Sequence, residues 1–401
     1  HAGQFNTLDT RMLGGDLVVA SVDTPTERPV LLSIDAAGLG VSESLRLPAF
    51  TTRIEAQCLY RDEAANLYLF LVLEEGGGEQ WLVGDARGLI ERPLPVRRLS
   101  LPPQSGFCAA DDSRHLLFIN EENVGIWAYD AHPEADLLRR PVDLLAPFGG
   151  LAGNVLGLAV VPGTLLALDG LTGHLLGYPA QGEGWGPPLR WSLPGIGTPE
   201  RLATRLDGGY LDLLVVNDGA MDLFATRLGA PATHPAKVHD LPVVLARVQT
   251  EPVARVGDAA DDPAIWLHPT QPERSRILGT DKRSGLAVHD LQGRLLQFLP
   301  VGRLNNIDVR PGFSFDGRTV DLAVASHRDH DSLQFFAIDR DSGQLEDVGQ
   351  VATPLTDIYG VCLSQSAQGT IDAIVNAKDG RFLQYRLSAA GRQIGATLVR
   401  E

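Results

Sequence analysis

Eight segments of the chain share one grammar: an apolar strand, a polar turn, and a second strand that often carries an aromatic residue. They are DLVVASVDTPTERPVLLSID from Asp16, LYLFLVLEEGGGEQWLVGD from Leu67, HLLFINEENVGIWAYD from His115 and TLLALDGLTGHLLGYP from Thr164. The series continues with LDLLVVNDGAMDLFATRL from Leu211, RILGTDKRSGLAVHD from Arg276, DLAVASHRDHDSLQFFAID from Asp321 and IDAIVNAKDGRFLQYRL from Ile371. Starts recur roughly every 45–52 residues, apart from one longer gap after Leu211. Short apolar runs bounded by Gly, Pro, Asn and Asp read as strands and turns, and long periodic helices are not apparent. A repeat of this length holds about four strands, and a two-layer sandwich would not recur so regularly. The predicted fold is therefore all-β: a β-propeller of four-stranded antiparallel blades, with about eight blade-like repeats.

A longer period overlays the first. GQFNTLD at 3–9 returns as GRLNNID at 302–308, DLVVAS at 16–21 as DLAVAS at 321–326, and QCL around Cys58 as VCL around Cys362. The chain reads as about one and a third copies of a unit of about 300 residues. It is entered part-way through the first copy, so two partial copies are expected, at 1–245 and 246–401. The join is expected near 228–257, where LGAPATHPAKVHDLP is linker-like.

Charge narrows the partners. The net charge of −16 excludes general nucleic-acid binding, which relies on a positive field. It leaves room for cations, since calcium takes several oxygen ligands per ion. No apolar run approaches the length of a membrane span. Three cysteines, Cys58, Cys108 and Cys362, have no metal-type spacing, and their odd number rules out a full disulfide framework. Because Cys58 and Cys362 fall at equivalent places in the repeat, buried strand thiols are expected rather than a bridge.

Of 34 basic residues only three are lysines, Lys237, Lys282 and Lys378. Two of them sit in polar turns between apolar strands, in TDKRSG and AKDGR. A polar turn is ordinarily just solvated. Lysine differs from arginine, however, in being a compact charge whose pKa can fall far enough to give up a proton. DAADDP at 258–263 places three acids close together, and LNNID adds two amides and Asp308. Such hard oxygen donors suit calcium better than zinc, although acids before a proline are commonly a turn or strand start. SHRDHDS at 326–332 matches no zinc spacing, and a hairpin turn accounts for it.

GDAADDPAIWLHP, TDKRSGLAVHDLQG, GRLNNIDVR, ASHRD, IYGVCL and NAKDGRFLQYRL follow one another from about Glu251 to the end. In order and spacing they resemble the β-propeller phytases, six-bladed calcium-dependent bacterial phosphatases of inositol hexakisphosphate (phytate). The first copy resembles the same family more weakly, and tandem members with an incomplete amino-terminal unit are similar to this arrangement. The resemblance implies a phosphoric monoester hydrolase of the 3-phytase type, secreted or periplasmic, needing several Ca2+ ions and acting on phytate or other inositol phosphates. It implies phosphate contacts by Lys282, Arg283, Arg328 and Lys378, and metal ligation by Asp258, Asp261, Asp262, Asn305, Asn306, Asp308 and Tyr359. Lys282, Arg328, Lys378 and Asp379 are the implied catalytic group, with Lys282 assisting the leaving oxygen and Asp379 touching water or metal.

The first copy departs from that pattern. Asp23 stands where the second copy has Arg328, Glu74-Glu75 for Lys378-Asp379, Thr7 for Asn306 and Glu55 for Tyr359. Ser105 and Leu156 occupy places where family members carry glutamates that hold calcium, whereas Glu121 and Glu122 remain acidic. A non-catalytic first copy is expected. The second copy reaches Glu401 about halfway through its propeller, which reads either as part of a longer tandem enzyme or as two partial copies that pair within the molecule. The alternative to an enzyme is a non-catalytic calcium- or partner-binding propeller module that assists an intact phytase domain.

Overall fold

The structure, a computed structural model, describes residues 4–35, 37, 40–218, 222–231, 247–255 and 257–401. Most of the expected join lies outside the described residues. The chain divides into two compact units, His1–Val244 and Leu245–Glu401. Eight antiparallel sheets follow one another in chain order, and no α-helix occurs among the described residues. These are propeller blades. Five belong to the first unit (9–46, 54–100, 108–144, 155–192 and 199–229) and three to the second (260–299, 304–352 and 358–400).

Six of the eight blades are four-stranded meanders. In blade 4 the outermost strand is split into Gly184–Trp185 and Leu189–Ser192. The interruption holds Pro187 and Pro188, which have no N–H to give to a ladder. Blade 5 has three strands among the described residues.

The second strands explain why the chain folds as stacked blades. Leu67–Leu73 is apolar without alternation, and nearly every residue in it, in Thr164–Asp169 and in Arg318–His327 is buried. A strand buried on both faces must be covered twice. In blade 7, Leu322 and Val324 enter a core shared with blade 8, while Ala323 and Ala325 enter one shared with blade 6. In blade 2, Leu67, Leu69 and Leu71 face blade 1, and Tyr68, Phe70 and Val72 face blade 3. The small alanines on one side and branched residues on the other let successive blades wedge together at packed-core density.

The cysteines differ from expectation. Cys58, on the innermost strand of blade 2, forms a disulfide with Cys108 on the innermost strand of blade 3, with Cα atoms 5.9 Å apart. Cys362 is a free, exposed thiol on the innermost strand of blade 8. Repeat equivalence predicted like environments for Cys58 and Cys362. The neighbouring blade decides instead, by bringing Cys108 within bridging reach of Cys58.

Candidate active-site rim

Register places the sequence motifs at one end of each sheet. In the second unit Ala260 pairs with Asp281, Leu304 with His327 and Ile358 with Ala377. Each innermost strand therefore starts beside the turn that joins the second and third strands. Those turns carry Lys282 and Arg283 in blade 6, Arg328 in blade 7 and Lys378 in blade 8, so Lys282, Arg328 and Lys378 leave equivalent positions of consecutive blades and Arg283 adjoins the first.

The starts of the innermost strands are irregular in the same way. Pairing skips from Ala260 to Pro263, from Leu304 to Ile307 and from Ile358 to Val361. The skipped residues are Asp261 and Asp262, Asn305 and Asn306, and Tyr359 and Gly360. A bulge re-aims side chains and releases backbone groups from the ladder. Small polar residues near the end of each second strand take those groups up. Thr280 Oγ1 donates to Asn305 O at 2.5 Å and accepts from Asp262 N. Ser326 Oγ donates to Tyr359 O at 2.5 Å and accepts from Asn306 N. Asn376 Oδ1 accepts from Gly360 N at 2.8 Å. Asn305 Nδ2 donates to Asn306 Oδ1 and to Tyr359 O, tying blade 7 to blade 8. Sequence reasoning missed Thr280, Ser326 and Asn376, although a small polar residue at the same place in three successive repeats was a readable signal.

Charge gathers around this line. Lys282 Nζ lies 2.5 Å from Asp258 Oδ1 and 3.7 Å from Asp261 Oδ1. Burial pushes the Asp261 carboxyl above the usual range, aided by the charges of Asp262 and Asp258 and opposed by Lys282. Arg283 Nε donates to Asp258 O at 3.1 Å. Lys378 Nζ is 3.4 Å from Asp357 Oδ2 and 5.6 Å from the centre of the Tyr359 ring. Arg328 has no carboxylate partner among the described residues, and its N–H donates to Arg303 O. The neighbouring Asp329 is engaged by Arg303 at 2.6 Å, and the Arg303 N–H holds its carboxyl below the usual range.

Other predicted residues also make hydrogen bonds within the scaffold. Asp379 accepts from Arg381 N and Nε within its own turn, and the Arg381 N–H depresses its pKa. Asp262 Oδ2 accepts from Ile307 N at 3.0 Å. Asp308 uses both oxygens, Oδ1 for Val309 N and Arg310 Nη1 and Oδ2 for Leu363 N. His327 is buried with Nε2 2.7 Å from Val301 O, and His330 faces Gln350. Among the described residues no three His, Cys, Asp or Glu side chains are placed to hold one metal ion. The oxygens gathered at the bulges therefore include amide and backbone carbonyls as well as acids.

A family model of phytase matches residues 51–169 and 214–401, which include the whole of this rim. The chain belongs to the phytase family. It is 40% identical over 156 residues to a 3-phytase of Bacillus subtilis (strain 168), a match that takes in 37% of this chain and 41% of that relative. The chain thus spans less than half the length of this curated phytase. Among solved structures, the β-propeller domain of Cps50 (Swd1) of Myceliophteria thermophila is 13% identical, with a TM-score of 0.38 over 84% of this chain and 98% of that one. The periplasmic gluconolactonase of Pseudomonas aeruginosa is 16% identical, with a TM-score of 0.32 over 96% and 95%. At those scores nothing further about this phytase-family chain follows from either.

The first unit keeps the scaffold of the rim while changing its charge. Ser21 Oγ donates to Thr7 O as Thr280 Oγ1 does to Asp262 O. Glu27 Oε2 accepts from Ile54 N where Asp331 Oδ1 accepts from Ile358 N. Yet the turns there carry Asp23, Glu74 and Glu75, and Glu121 and Glu122. Of the net charge of −16, −13 lies on residues 1–244 and −3 on residues 245–401.

Proposed function

We propose that the second unit provides a phytate-binding rim and that the chain hydrolyses phosphate monoesters of phytate in a calcium-dependent reaction. The observation that carries this reading is the emergence of Lys282 and Arg283, Arg328 and Lys378 from one end of three consecutive blades. Phytate presents several phosphates at once, and convergent bases on separate rigid blades bind such a polyanion without reorganising. Arg283 and Arg328 clamp phosphate oxygens. Lys378, held beside Asp357 and over Tyr359, stabilises charge on the transferring group.

In the reaction a water oxygen forms a bond to phosphorus as the bond from phosphorus to the inositol oxygen breaks. Lys282 gives its proton to that departing oxygen and regains one from solvent. Asp258, 2.5 Å away, keeps the ammonium in place until then. The Asp258 and Asp261 carboxylates and Asn306 Oδ1 are hard oxygen donors suited to calcium, and phosphate oxygens would complete the shell. Bound there, calcium would neutralise phosphate charge and make a bound water more acidic. Asp379, paired with Arg381, keeps its turn in shape and stays ionised. The acidic rim of the first unit favours a non-catalytic role for that unit.

The test is release of phosphate from phytate by the purified chain, with calcium and with a chelator. Release that stops on chelation and returns with calcium supports the reading. No release at any calcium level removes it and leaves a binding module.

A further inference from the structure

Asp308 and Arg310 engage both backbone polar groups, N–H and C=O, of one residue of the neighbouring blade. Asp308 Oδ2 accepts from Leu363 N at 2.8 Å, and Arg310 Nη2 donates to Leu363 O. The two side chains are joined, Asp308 Oδ1 to Arg310 Nη1, at 2.7 Å. Arg310 Nη1 is also fixed by Val309 O and Asp308 Oδ1 by Val309 N, so little freedom is left to either group. Leu363 lies on the innermost strand of blade 8, Ile358–Gln365, four residues beyond Tyr359.

The arrangement recurs where the rim charges are absent. In the first unit Asp9 Oδ2 accepts from Leu59 N at 2.8 Å, and Asp9 Oδ1 pairs with Arg11 Nη1 at 3.1 Å. Asp9 Oδ1 accepts from Thr10 N, and Arg11 Nη1 donates to Thr10 O. Every Asp308 contact thus has a counterpart in a unit whose turns carry Asp23, Glu74 and Glu75 in place of the bases. Only the far end of the arginine differs, Arg11 reaching on to Ala110 O and Asp112 in blade 3.

We propose that Asp308 and Arg310 are positioning residues rather than metal ligands: an Asp-x-Arg clamp that sets the innermost strand of blade 8 against that of blade 7. A carboxylate with both oxygens taken by N–H donors has little left for a cation. What the clamp sets is the register of Tyr359, whose carbonyl meets Ser326 Oγ and Asn305 Nδ2 across the same seam. Its effect on turnover rests on the function proposed above, but its existence does not.

The test compares Asp308→Asn with Asp9→Asn by residue-resolved amide hydrogen exchange and by calcium equilibrium dialysis of the full chain. Protection of the Leu363 amide should fall at least tenfold in the first variant, and that of Leu59 in the second, with calcium stoichiometry equal to wild type in both. Unchanged protection at Leu363, or loss of one bound calcium in Asp308→Asn alone, overturns the proposal. If the wild-type chain binds no calcium, the metal reading fails while exchange at Leu363 still decides the clamp. Should Asp308→Asn not fold, Arg310→Met is measured in its place, with the same loss of protection expected for the amides of 361–365. In an active chain, Asp308→Asn should raise KM for phytate severalfold with kcat within about twofold, and Asp9→Asn should change neither.

Discussion

In the proposed reaction the chemistry turns on Lys282, which combines a donatable proton with a fixed place beside two carboxylates, Asp258 and Asp261. Arginine at this position would keep the positive charge but hold its proton far too tightly to act as an acid. Lys282→Arg should therefore leave KM for phytate within a few-fold of wild type while kcat falls about 10²-fold or more, the usual scale for losing a general acid. Lys282→Ala should lower kcat and raise KM together. Steady-state phosphate release, with circular dichroism to check the fold, separates the two. Equal loss of kcat in both variants with unchanged KM would mean that Lys282 does not contact substrate. The rarity of lysine made this turn visible in the sequence. Its partners were less visible: Asp258 was read as a metal ligand, and nothing in the local sequence announces that its carboxylate lies against the ammonium.

At the scale of the strand and its turn, the sequence was most informative where periodicity and polarity agree. Paired apolar runs around polar turns predicted every blade, since a second strand such as Leu67–Leu73 is buried on both faces and so is written almost wholly in apolar residues. The bulges were not legible. Asp261-Asp262, Asn305-Asn306 and Tyr359-Gly360 have no common residue type, because a bulge is defined by the partner strand and not by its own side chains. The disulfide was missed for the same kind of reason, as it depends on the blade next door.

The outer half of blade 8 offers a test of local electrostatics. Asp372, on the second strand, accepts from Arg386 Nε and Gln384 Nε2 on the third, and chiefly the Arg386 hydrogen bond lowers its pKa. A carboxyl depressed in the folded state stabilises that state above its ordinary value of about 3.9 and loses that contribution as the pH falls through the lowered one. Arg386→Met should thus be less stable than wild type at neutral pH, and the gap should close below about pH 3.9. Urea unfolding at several pH values measures it. A gap independent of pH would assign the effect to packing of the arginine stem.

Across the whole molecule the two units show a scaffold conserved in geometry and divided in charge. The Ser21–Thr7 contact, the Glu27–Ile54 pin and the Asp9–Arg11 pair repeat contacts of the second unit, while the rim turns exchange bases for acids. A polyanion approaching the first unit meets a field of the wrong sign, and one substituted base does not reverse it, because most of the net charge resides there. Nor would a base recreate the oxygen donors, since Thr7 occupies the place of Asn306. Asp23→Arg, alone or with Glu74→Lys, should accordingly leave the rate of phosphate release within about twofold of wild type, as expected for surface changes away from a reacting group. The same variants should leave the calcium concentration giving half-maximal rate unchanged. A rise in rate, or a shift in that calcium dependence, would place the first unit in the reaction and overturn its reading as non-catalytic.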